Sequence, residues 1–404
     1  MERVLLLLPT TTYRIQAFLD AARGLGVEVV CASERPSTLQ ELAPETLLTL
    51  DFGDPEGAAA AVRRFARAHP IDAVVGVDDP TTVAAAVIAE RLGLASNPVA
   101  ATRAARDKHL MRQRLRAAGV PVPRFRSVSL DEDPALAAGA VDYPCVLKPV
   151  SLSASRGVIR VDDPGGFVAA VARIRAILER AGDDSRTLLA EAFVPGREVA
   201  LEGLLVGGVL HTLALFDKPD PLDGPFFEET IYVTPSRLPA AGQAQVAAVT
   251  ARAAAALGLA EGPIHAELRI NERGPWVIEV AARSIGGLCS RTLRFGTGMT
   301  LEELILRHAL GKKIESYDRE RRPAGVMMIP IPKAGRLRAV AGKEQAEAVP
   351  GVEEVAITAH VGQELVPLPE GWQYLGFIFA RAETPEAVEH ALREAHARLS
   401  FEIA

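Results

Sequence analysis

The sequence predicts an α/β protein with an additional α+β part, built from more than one domain. Three observations support this fold class. Apolar strands alternate with helices at the start of the chain, strands dominate from 188 to 233, and short strands alternate with turns from about Pro323. We therefore expect an N-terminal open α/β domain at 1–106, a second domain at 107–318 and a small C-terminal α+β domain at 319–404.

The first domain is predicted from two βαβ units. Each unit pairs an apolar strand with a helix, and such alternation is typical of an open parallel sheet. A dinucleotide site is not assigned, because the G-x-G-x-x-G pattern is absent from the sequence. In chain order, the predicted segments are a strand at 3–8, a helix through about Leu25, a strand at 27–31, a helix near 55–69, a strand at 71–77, a loop at 78–80 and a helix through about Leu92.

Composition and charge exclude several classes of protein. The net charge of -6 and the absence of a basic stripe argue against nucleic-acid binding. The apolar start of the chain is too short for a signal peptide or a membrane span. Cys31, Cys145 and Cys289 are too widely spaced for a metal cluster or a disulfide framework, so a reducing cytoplasm is the expected compartment.

Helix and strand signals continue through the rest of the chain. Glycine and proline stop signals define most of these boundaries. The predicted segments are a helix at about 108–118, strands at 145–148 and 158–161, a helix at about 164–181, a helix at 240–257, a helix at 300–310 and a last helix at about 385–399.

An acidic hairpin is the most informative segment. Alternating apolar residues at 265–269 and 277–281 flank a polar turn, which predicts paired antiparallel strands. If the turn centres on Arg273, Glu267 and Glu279 lie opposite each other on one face. Neighbouring carboxylates repel each other unless a cation lies between them. Because Mg²⁺ prefers oxygen ligands and bridges to phosphates, the hairpin predicts metal–nucleotide chemistry, with a solvated acidic hairpin as the alternative.

Two further segments are candidates for nucleotide binding. Lys148 ends an apolar strand before the small-residue loop 151–157, whose backbone N–H groups could approach a phosphate; a flexible hairpin with an exposed lysine is the alternative. The residues of this loop that are predicted to contact the nucleotide are Ser153, Ser155 and Gly157.

The strand from Leu188 runs into a Pro-Gly hinge, where backbone groups could bind the edge of a base. Glu198 could accept hydrogen bonds from ribose hydroxyls. A strand and turn with two solvated glutamates is the alternative.

Taken in order, these segments resemble the ATP-grasp superfamily over most of the chain. The matching features are Asp107-Lys108 at a helix start, Lys148 with its loop, the hinge at 191–198, and Glu267 with Glu279-x-x-x-Arg283. The resemblance implies an ATP-grasp fold with a lid lobe at about 120–190. It also implies that Lys108 and Lys148 contact the phosphates of ATP. Glu191, Phe193 and Val194 would line the adenine pocket, the last two largely through backbone, and Glu198 would bind the ribose. Glu267 and Glu279 would hold Mg²⁺, and Arg283 would stabilise the charge of the transferred phosphoryl group or of the intermediate.

One position departs from the superfamily pattern. Many members have Asn two residues after the second glutamate, where this chain has Ala281. The following Ser284-Ile285-Gly286-Gly287 stretch is similar to the L-amino-acid ligase branch, in which a small residue at this place is not unusual. Phe227-Glu228-Glu229-Thr230 is also similar to that branch, which implies that Glu229 binds a substrate ammonium, with a surface strand carboxylate as the alternative. The resemblance also implies that Gly286 and Gly287 lie at the substrate site. Strand alternation places His265 on the face of Glu267, near phosphates or acceptor, with a packed core histidine as the alternative.

The resemblance implies an ATP-dependent carboxylate–amine ligase that joins small molecules, with amino acids as the expected substrates, through an acyl phosphate. A biotin-carboxylase-like or purine-pathway enzyme that uses carboxyphosphate is the alternative, and a nucleotide-binding regulatory protein without chemistry is a third hypothesis. The expected cofactors are ATP and Mg²⁺, and neither nucleic acid nor membrane is an expected partner. Dimers are common among similar enzymes, which makes a homodimer compatible with the resemblance.

Overall fold

The structure is a computed structural model that describes residues 1–38 and 40–404. Four sheets organise these residues: a parallel sheet near the N-terminus, an antiparallel sheet in the lid, a central sheet of eight strands and a small sheet near the C-terminus. Helices cover these sheets, which confirms the predicted combination of α/β and α+β structure.

The N-terminal sheet has the strand order β3-β2-β1-β4, with every pair parallel. The predicted open parallel sheet is therefore confirmed. The predicted loop at 78–80 is wrong for its last two residues, because Asp79 and Pro80 form the first turn of a helix, where proline's missing N–H costs nothing. The elements are β1 (Arg3–Leu7), α1 (Ile15–Leu25), β2 (Glu28–Ser33), β3 (Leu47–Thr49), α2 (Pro55–Ala66), β4 (Ala73–Gly76) and α3 (Asp79–Leu92).

Two consecutive helices, α4 (Val99–Arg106) and α5 (Lys108–Ala117), connect this sheet to the lid. Asp107 separates them, and its side chain accepts a hydrogen bond from the Leu110 N–H at 2.9 Å as the N-cap of α5. The Lys108 N–H donates to the Val150 carbonyl at 3.3 Å, so this junction lies against the end of a lid strand.

The lid is a four-stranded antiparallel sheet with the order β5-β8-β6-β7 and its own apolar core. Its elements span residues 125–192, and the lid lobe bounds of about 120–190 stay a prediction. The long helix α7 starts after Asp163, which caps the Gly166 N–H, and stops at Gly182 in the left-handed conformation. The elements are β5 (Phe125–Ser129), α6 (Pro134–Ala138), β6 (Cys145–Pro149), β7 (Ile159–Val161), α7 (Pro164–Ala181) and β8 (Thr187–Ala192).

The central sheet has the order β13-β12-β9-β10-β11-β14-β18-β16. It continues across residue 318, since β11 pairs with β14, so residues 319–404 share this sheet with the preceding part of the chain. The elements before that point are β9 (Arg197–Val206), β10 (Val209–Lys218), β11 (Ile231–Thr234), α8 (Ala240–Leu257), β12 (Gly262–Asn271), β13 (Gly274–Ala281), a short 3-10 helix (Cys289–Thr292) and α9 (Leu301–Ala309).

The C-terminal part adds three strands to the central sheet and forms a separate sheet of order β17-β15-β19. Its last helix begins after Thr384, whose hydroxyl accepts a hydrogen bond from the Ala387 N–H at 3.2 Å. The elements are β14 (Ala324–Ile329), β15 (Gly335–Ala341), α10 (Lys343–Glu347), β16 (Val352–Ile357), β17 (Glu364–Leu365), β18 (Gly376–Arg381), α11 (Pro385–Arg398) and β19 (Ser400–Ile403).

The largest apolar core joins the N-terminal sheet to the central sheet. Leu6 and Phe18 from the first domain pack in the same cluster as Leu204, Phe216 and Phe377. This shared core fixes the first domain against the central sheet. In the described part of the chain, none of the helices combines the length and apolar character that a membrane span needs.

Candidate active site

Two neighbouring cavities lie where the lid, the central sheet and the N-terminal domain approach each other. The first has a volume of about 690 Å³ and lies between the lid and the acidic hairpin. The second has a volume of about 1530 Å³ and extends from the hairpin to the N-terminal domain. Glu229, Glu267 and Glu279 line both cavities, so acidic side chains stand where the two spaces meet.

The predicted site residues divide between these cavities. All of them except Gly157 line at least one cavity, although the sequence separates them by as many as 179 positions, from 108 to 287. The first cavity contains Lys108, Lys148, Glu191, Phe193, Val194 and Glu198. The second contains His265, Arg283, Gly286 and Gly287. Both contain Ser153, Ser155, Glu229, Glu267 and Glu279.

The acidic hairpin has the predicted register. Glu267 pairs directly with Glu279 across β12 and β13, so both side chains share one face of the sheet. A β-bulge follows this pair and shifts the register, since Leu268 pairs with Val277. The Lys108 ammonium lies 3.2 Å from Glu279 Oε1 and 2.8 Å from the Leu152 carbonyl oxygen. The hairpin is therefore tied to α5 and to the lid loop.

A lysine that the sequence analysis did not select lies at the centre of the acidic group. Lys218, the last residue of β10, is 2.9 Å from Glu198 Oε1, 2.5 Å from Glu229 Oε1 and 3.1 Å from Glu267 Oε1. Burial alone lowers the pKa of Lys218, but the three carboxylates outweigh burial and raise this pKa well above its usual value. Lys218 is therefore charged and holds the three carboxylates together.

The neighbouring carboxylates have opposite protonation behaviour. Burial and the Glu267 charge raise the pKa of Glu229 to about 7, in spite of Lys218. Burial also favours the neutral form of Glu267, yet Lys218 and His265 lower the pKa of Glu267 well below its ordinary value. Glu267 is thus ionised at neutral pH, whereas Glu229 titrates close to neutrality.

A second charged group fixes Lys148 at the end of β6. Lys148 Nζ lies 2.6 Å from Glu191 Oε2, and Arg112 Nε lies 2.5 Å from Glu191 Oε1. Burial raises the pKa of Glu191, but Arg112 and Lys148 together lower it to about 2. The Glu191 carboxylate, which the resemblance assigned to the adenine pocket, thus also holds the predicted phosphate lysine in place.

His265 lies between two carboxylates. Its Nδ1 is 3.2 Å from Glu202 Oε2 and its Nε2 is 3.4 Å from Glu267 Oε1. Burial lowers the pKa of His265, but hydrogen bonds to Glu202 and Glu267 raise it to about 9. Glu202 is fully buried and also accepts hydrogen bonds from the Ile285 N–H. His265 pairs in register with Ala281, so the imidazole stands next to the position where the superfamily pattern has Asn.

Arg283 connects the hairpin strand to the N-terminal domain. Its Nη2 and Nε lie 2.8 and 3.1 Å from Asp79 Oδ2, in the first turn of α3. Burial raises the pKa of Asp79, but the Arg283 charge outweighs it and lowers this pKa to about 2. This ion pair holds the guanidinium in the wall of the second cavity.

The loop at 151–157 lies beside both cavities, but it does not present its last N–H groups to them. The Gly157 N–H donates to the Pro369 carbonyl at 2.9 Å, and the Val158 N–H donates to Ser155. Gly157 adopts a positive φ of +71°, and a Cβ there would lie 3.1 Å from Pro149. The Gly157 N–H is therefore engaged with the C-terminal part, and the cofactor contact of Gly157 stays a prediction.

Two backbone groups of the hinge after β8 have hydrogen-bond partners within the protein. The Phe193 N–H donates to the Pro144 carbonyl at 3.0 Å, and the Val194 carbonyl accepts from Arg269 at 2.8 Å. These two backbone groups are therefore engaged within the protein rather than open to a base. The Phe193 ring lies between two guanidinium groups, 4.3 Å from Arg160 and 4.9 Å from Arg269, and lines the first cavity.

The donor set of the hairpin fits a hard divalent cation. Glu267 and Glu279 provide carboxylate oxygens on one face, and the contacts from Lys218 and Lys108 use only Oε1 of each. Oxygens of Glu198, Glu229 and Glu267 also lie within 4.8 Å of one another, around Lys218. A cation at that group would share the carboxylates with the Lys218 ammonium.

Several residues of the site were missed by the sequence analysis. Lys218 follows an apolar strand and precedes Pro219, which is the same signal that identified Lys148 before Pro149. Glu202 and Arg112 lie inside a strand and a helix without any local pattern, so the sequence contained no comparable signal for them.

Comparison with known proteins gives three matches to family models along the chain. Residues 19–96 match the ATP-grasp N-terminal domain, residues 141–292 match the ATP-grasp domain, and residues 327–404 match the L-amino acid ligase C-terminal domain 2. Residues 19–96 and 141–292 of the chain therefore match ATP-grasp domains. A solved L-amino acid ligase from Bacillus licheniformis has this ATP-grasp architecture throughout, with 27% identity, a TM-score of 0.82 and coverage of 100% of this chain and 99% of that one.

Two similar proteins are a synthase and a ligase. Carnosine synthase 1 of Gallus gallus is 30% identical over 77% of this chain and 36% of its own length. Alanine–anticapsin ligase of Bacillus subtilis is 28% identical over 54% of this chain and 49% of its own length. The chain thus spans less than half of each of these two relatives. The expected ATP-grasp fold and the resemblance to the L-amino acid ligase branch are confirmed.

Proposed function

We propose that this chain is an ATP-dependent carboxylate–amine ligase that joins two amino acids through an acyl phosphate. The observation that supports the proposal is the pair of cavities that meet at Glu229, Glu267 and Glu279. One cavity is flanked by lysines suited to phosphate, and the other is large enough for two small substrates. A γ-phosphate and a substrate carboxylate would come together where these spaces join.

In this proposal, ATP occupies the first cavity. Lys148 and Lys108 would bind its phosphates, since both ammonium groups line that cavity on rigid elements. Glu198 would accept hydrogen bonds from the ribose, and Phe193 would contact the adenine. Mg²⁺ held by Glu267 and Glu279 would neutralise phosphate charge.

The second cavity would hold the carboxylate donor and the amine acceptor. Glu229 would accept hydrogen bonds from a substrate ammonium, and Gly286 and Gly287 would contact the substrate through backbone. Arg283, held by Asp79, would stabilise negative charge on the acyl phosphate or on the intermediate after attack. ADP and phosphate leave when the amine has displaced the phosphate.

Closure of the lid would protect the acyl phosphate from water. The lid contacts the C-terminal part through Arg173, whose Nε and Nη2 lie 2.6 and 2.9 Å from the two oxygens of Glu370, and through the Gly157 N–H at the Pro369 carbonyl. These contacts hold the lid against the part of the chain that follows the hairpin.

The test is phosphate release from Mg-ATP over a matrix of paired amino acids, with single amino acids and bicarbonate as controls. Release that requires two amino acids, with a product mass equal to their sum less water, is the expected result. Release with bicarbonate alone would instead favour the carboxyphosphate chemistry of the alternative enzyme class. ATP binding without turnover for any pair would favour the regulatory hypothesis, which Ala281 supports.

A matched pair of lysine variants tests the assignment of the first cavity. We expect Lys148→Ala to abolish ADP formation, because it removes the ammonium at the phosphate position. Lys343→Ala, which removes a half-exposed surface lysine of α10, should retain full turnover. Near-normal turnover by a folded Lys148→Ala protein would refute the assignment.

The proposal also places the protein in the cytoplasm as a homodimer. Light scattering, which measures the mass of the assembly in solution, tests the homodimer.

A further inference from the structure

The junction between α4 and α5 contributes one cationic side chain to the wall of each cavity. Lys108, the first residue of α5, lines the first cavity and is bound to Glu279 and to the Leu152 carbonyl. Arg106, the last residue of α4, lines the second cavity and is partly buried. Arg106 and Lys108, only two positions apart, therefore line different cavities of the proposed ligase.

The other arginines of the second cavity already have protein partners. Arg14 lies 3.3 Å from Glu302, and Arg283 lies 2.8 Å from Asp79. Arg156 donates from Nε to the Glu370 carbonyl at 3.1 Å. Among the residues that the structure describes, Arg106 has neither an ion pair nor a side-chain hydrogen bond.

An unpaired, partly buried guanidinium is suited to an anionic ligand. It offers five N–H donors in a fixed planar arrangement that matches a carboxylate, and it gains most when its partner is also removed from water. The Asp79 carboxylate is close enough for the charge of Arg106 to lower its pKa, but Arg283 occupies that carboxylate. The Arg106 donors are thus open toward the cavity.

We propose that Arg106 binds the α-carboxylate of the amino acid that acts as the amine acceptor. This inference rests on the proposed ligase function. The donor's carboxylate must reach the γ-phosphate at the junction of the cavities, where Glu267 and Glu279 stand, whereas Arg106 lines only the second cavity. An anion bound by Arg106 is therefore the carboxylate that does not react.

Arg106 then acts as a positioning residue that selects the class of acceptor. By holding the carboxylate end of the acceptor, it orients the amino group toward the acyl phosphate. Acceptors with a free α-carboxylate are used well, and primary amides of the same amino acids are used poorly. The product is accordingly a dipeptide with a free C-terminus.

The experiment compares L-phenylalanine, L-alanine and glycine with L-phenylalaninamide, L-alaninamide and glycinamide as acceptors, at a saturating concentration of the donor that the matrix identifies. For Arg106→Ala we expect the KM for each amino-acid acceptor to rise about 10- to 100-fold, as for the loss of one charge-assisted ion pair. The KM for ATP and for the donor stays unchanged. Arg106→Lys restores part of the loss, because it returns the charge without the planar pair of donors.

Arg103→Ala is the matched control, because Arg103 is an exposed arginine on the same helix, and its kinetic constants should equal those of the parent protein. Amides give the decisive comparison: the parent uses them poorly, and Arg106→Ala leaves their KM unchanged. An unchanged acceptor KM in Arg106→Ala, an equal rise for amides, or a rise confined to ATP or to the donor would each overturn the inference while the ligase function stands. Absence of turnover for every pair in the parent protein would overturn both.

Discussion

Replacement of Glu191 by glutamine tests the group that fixes Lys148. The Glu191 side chain is 2% exposed and binds both Arg112 and Lys148, so Glu191→Gln leaves two buried cations with one neutral acceptor. The pKa of Glu191 falls from the usual 4.5 to about 2 in the folded protein. That difference corresponds to about 3 kcal/mol of stability at pH 7, which is similar to the usual cost of breaking a buried ion pair.

The sign of the pH dependence follows from the lowered pKa. The contribution of Glu191 is fully present above pH 4.5, where the carboxylate is ionised in both states, and is lost as the pH falls toward 2. At pH 3 it amounts to about 1 kcal/mol. The free-energy gap between the parent protein and Glu191→Gln should therefore shrink by more than half between pH 7 and pH 3.

Urea unfolding at both pH values measures this gap, and hydrogen exchange of β6 and β8 locates it in the lid. Glu56→Gln is the matched control, because Glu56 pairs with Arg91 at an exposed surface and should cost less than about 1 kcal/mol. A gap below about 1 kcal/mol at pH 7, or an equal gap at both pH values, would refute the argument that Arg112 and Lys148 stabilise the ionised carboxylate.

Two further predictions concern metal binding and the lid. Lys218→Met removes the ammonium shared by three carboxylates, so we expect its melting temperature in EDTA to be lower than that of the parent protein. Adding Mg²⁺ should raise the melting temperature of the variant by more than that of the parent. An equal rise in both proteins would contradict a site that Mg²⁺ and the Lys218 ammonium share. Arg173→Ala breaks the bidentate pair with Glu370, so α7 and the loop at 151–157 should exchange amide hydrogens about 2- to 5-fold faster, as for a partly exposed ion pair. Exchange at the parent rate would show that this pair does not hold the lid.

The acidic hairpin shows how much of the site could be predicted from local sequence. The period-2 alternation indicated which side chains share a face, and a turn centred on Arg273 predicted that Glu267 pairs with Glu279. The pair forms, but the turn residues are Glu272 and Arg273, and a β-bulge beside Glu267 brings Glu279 opposite it, which local sequence did not predict. The helix at 164–181 was predicted with its observed ends for a similar reason, since Asp163, Pro164 and Gly182 are local start and stop signals.

Local patterns could not predict the groups assembled from distant parts of the chain. Lys218 was missed because its role depends on carboxylates of three other segments, of which only the structure shows the proximity. Gly157 was assigned to the cofactor because small residues favour close approach of a ligand, but its N–H binds Pro369, more than two hundred positions away in the sequence. The continuation of the central sheet past residue 318 was missed because the pairing of β11 with β14 is also non-local.

The sequence by itself determined many of the strands and helices, the existence of the acidic hairpin and the family resemblance, because periodicity, capping residues and motif order are properties of short segments. The tertiary structure alone decided how charges are compensated. Arg283 meets Asp79 across 204 positions, and Glu191 joins Arg112 to Lys148. Arg106, beside the second cavity, has no side-chain partner among residues 1–38 and 40–404. Ion pairs form wherever folding brings opposite charges within a few ångströms, and no local rule links positions so far apart in the chain.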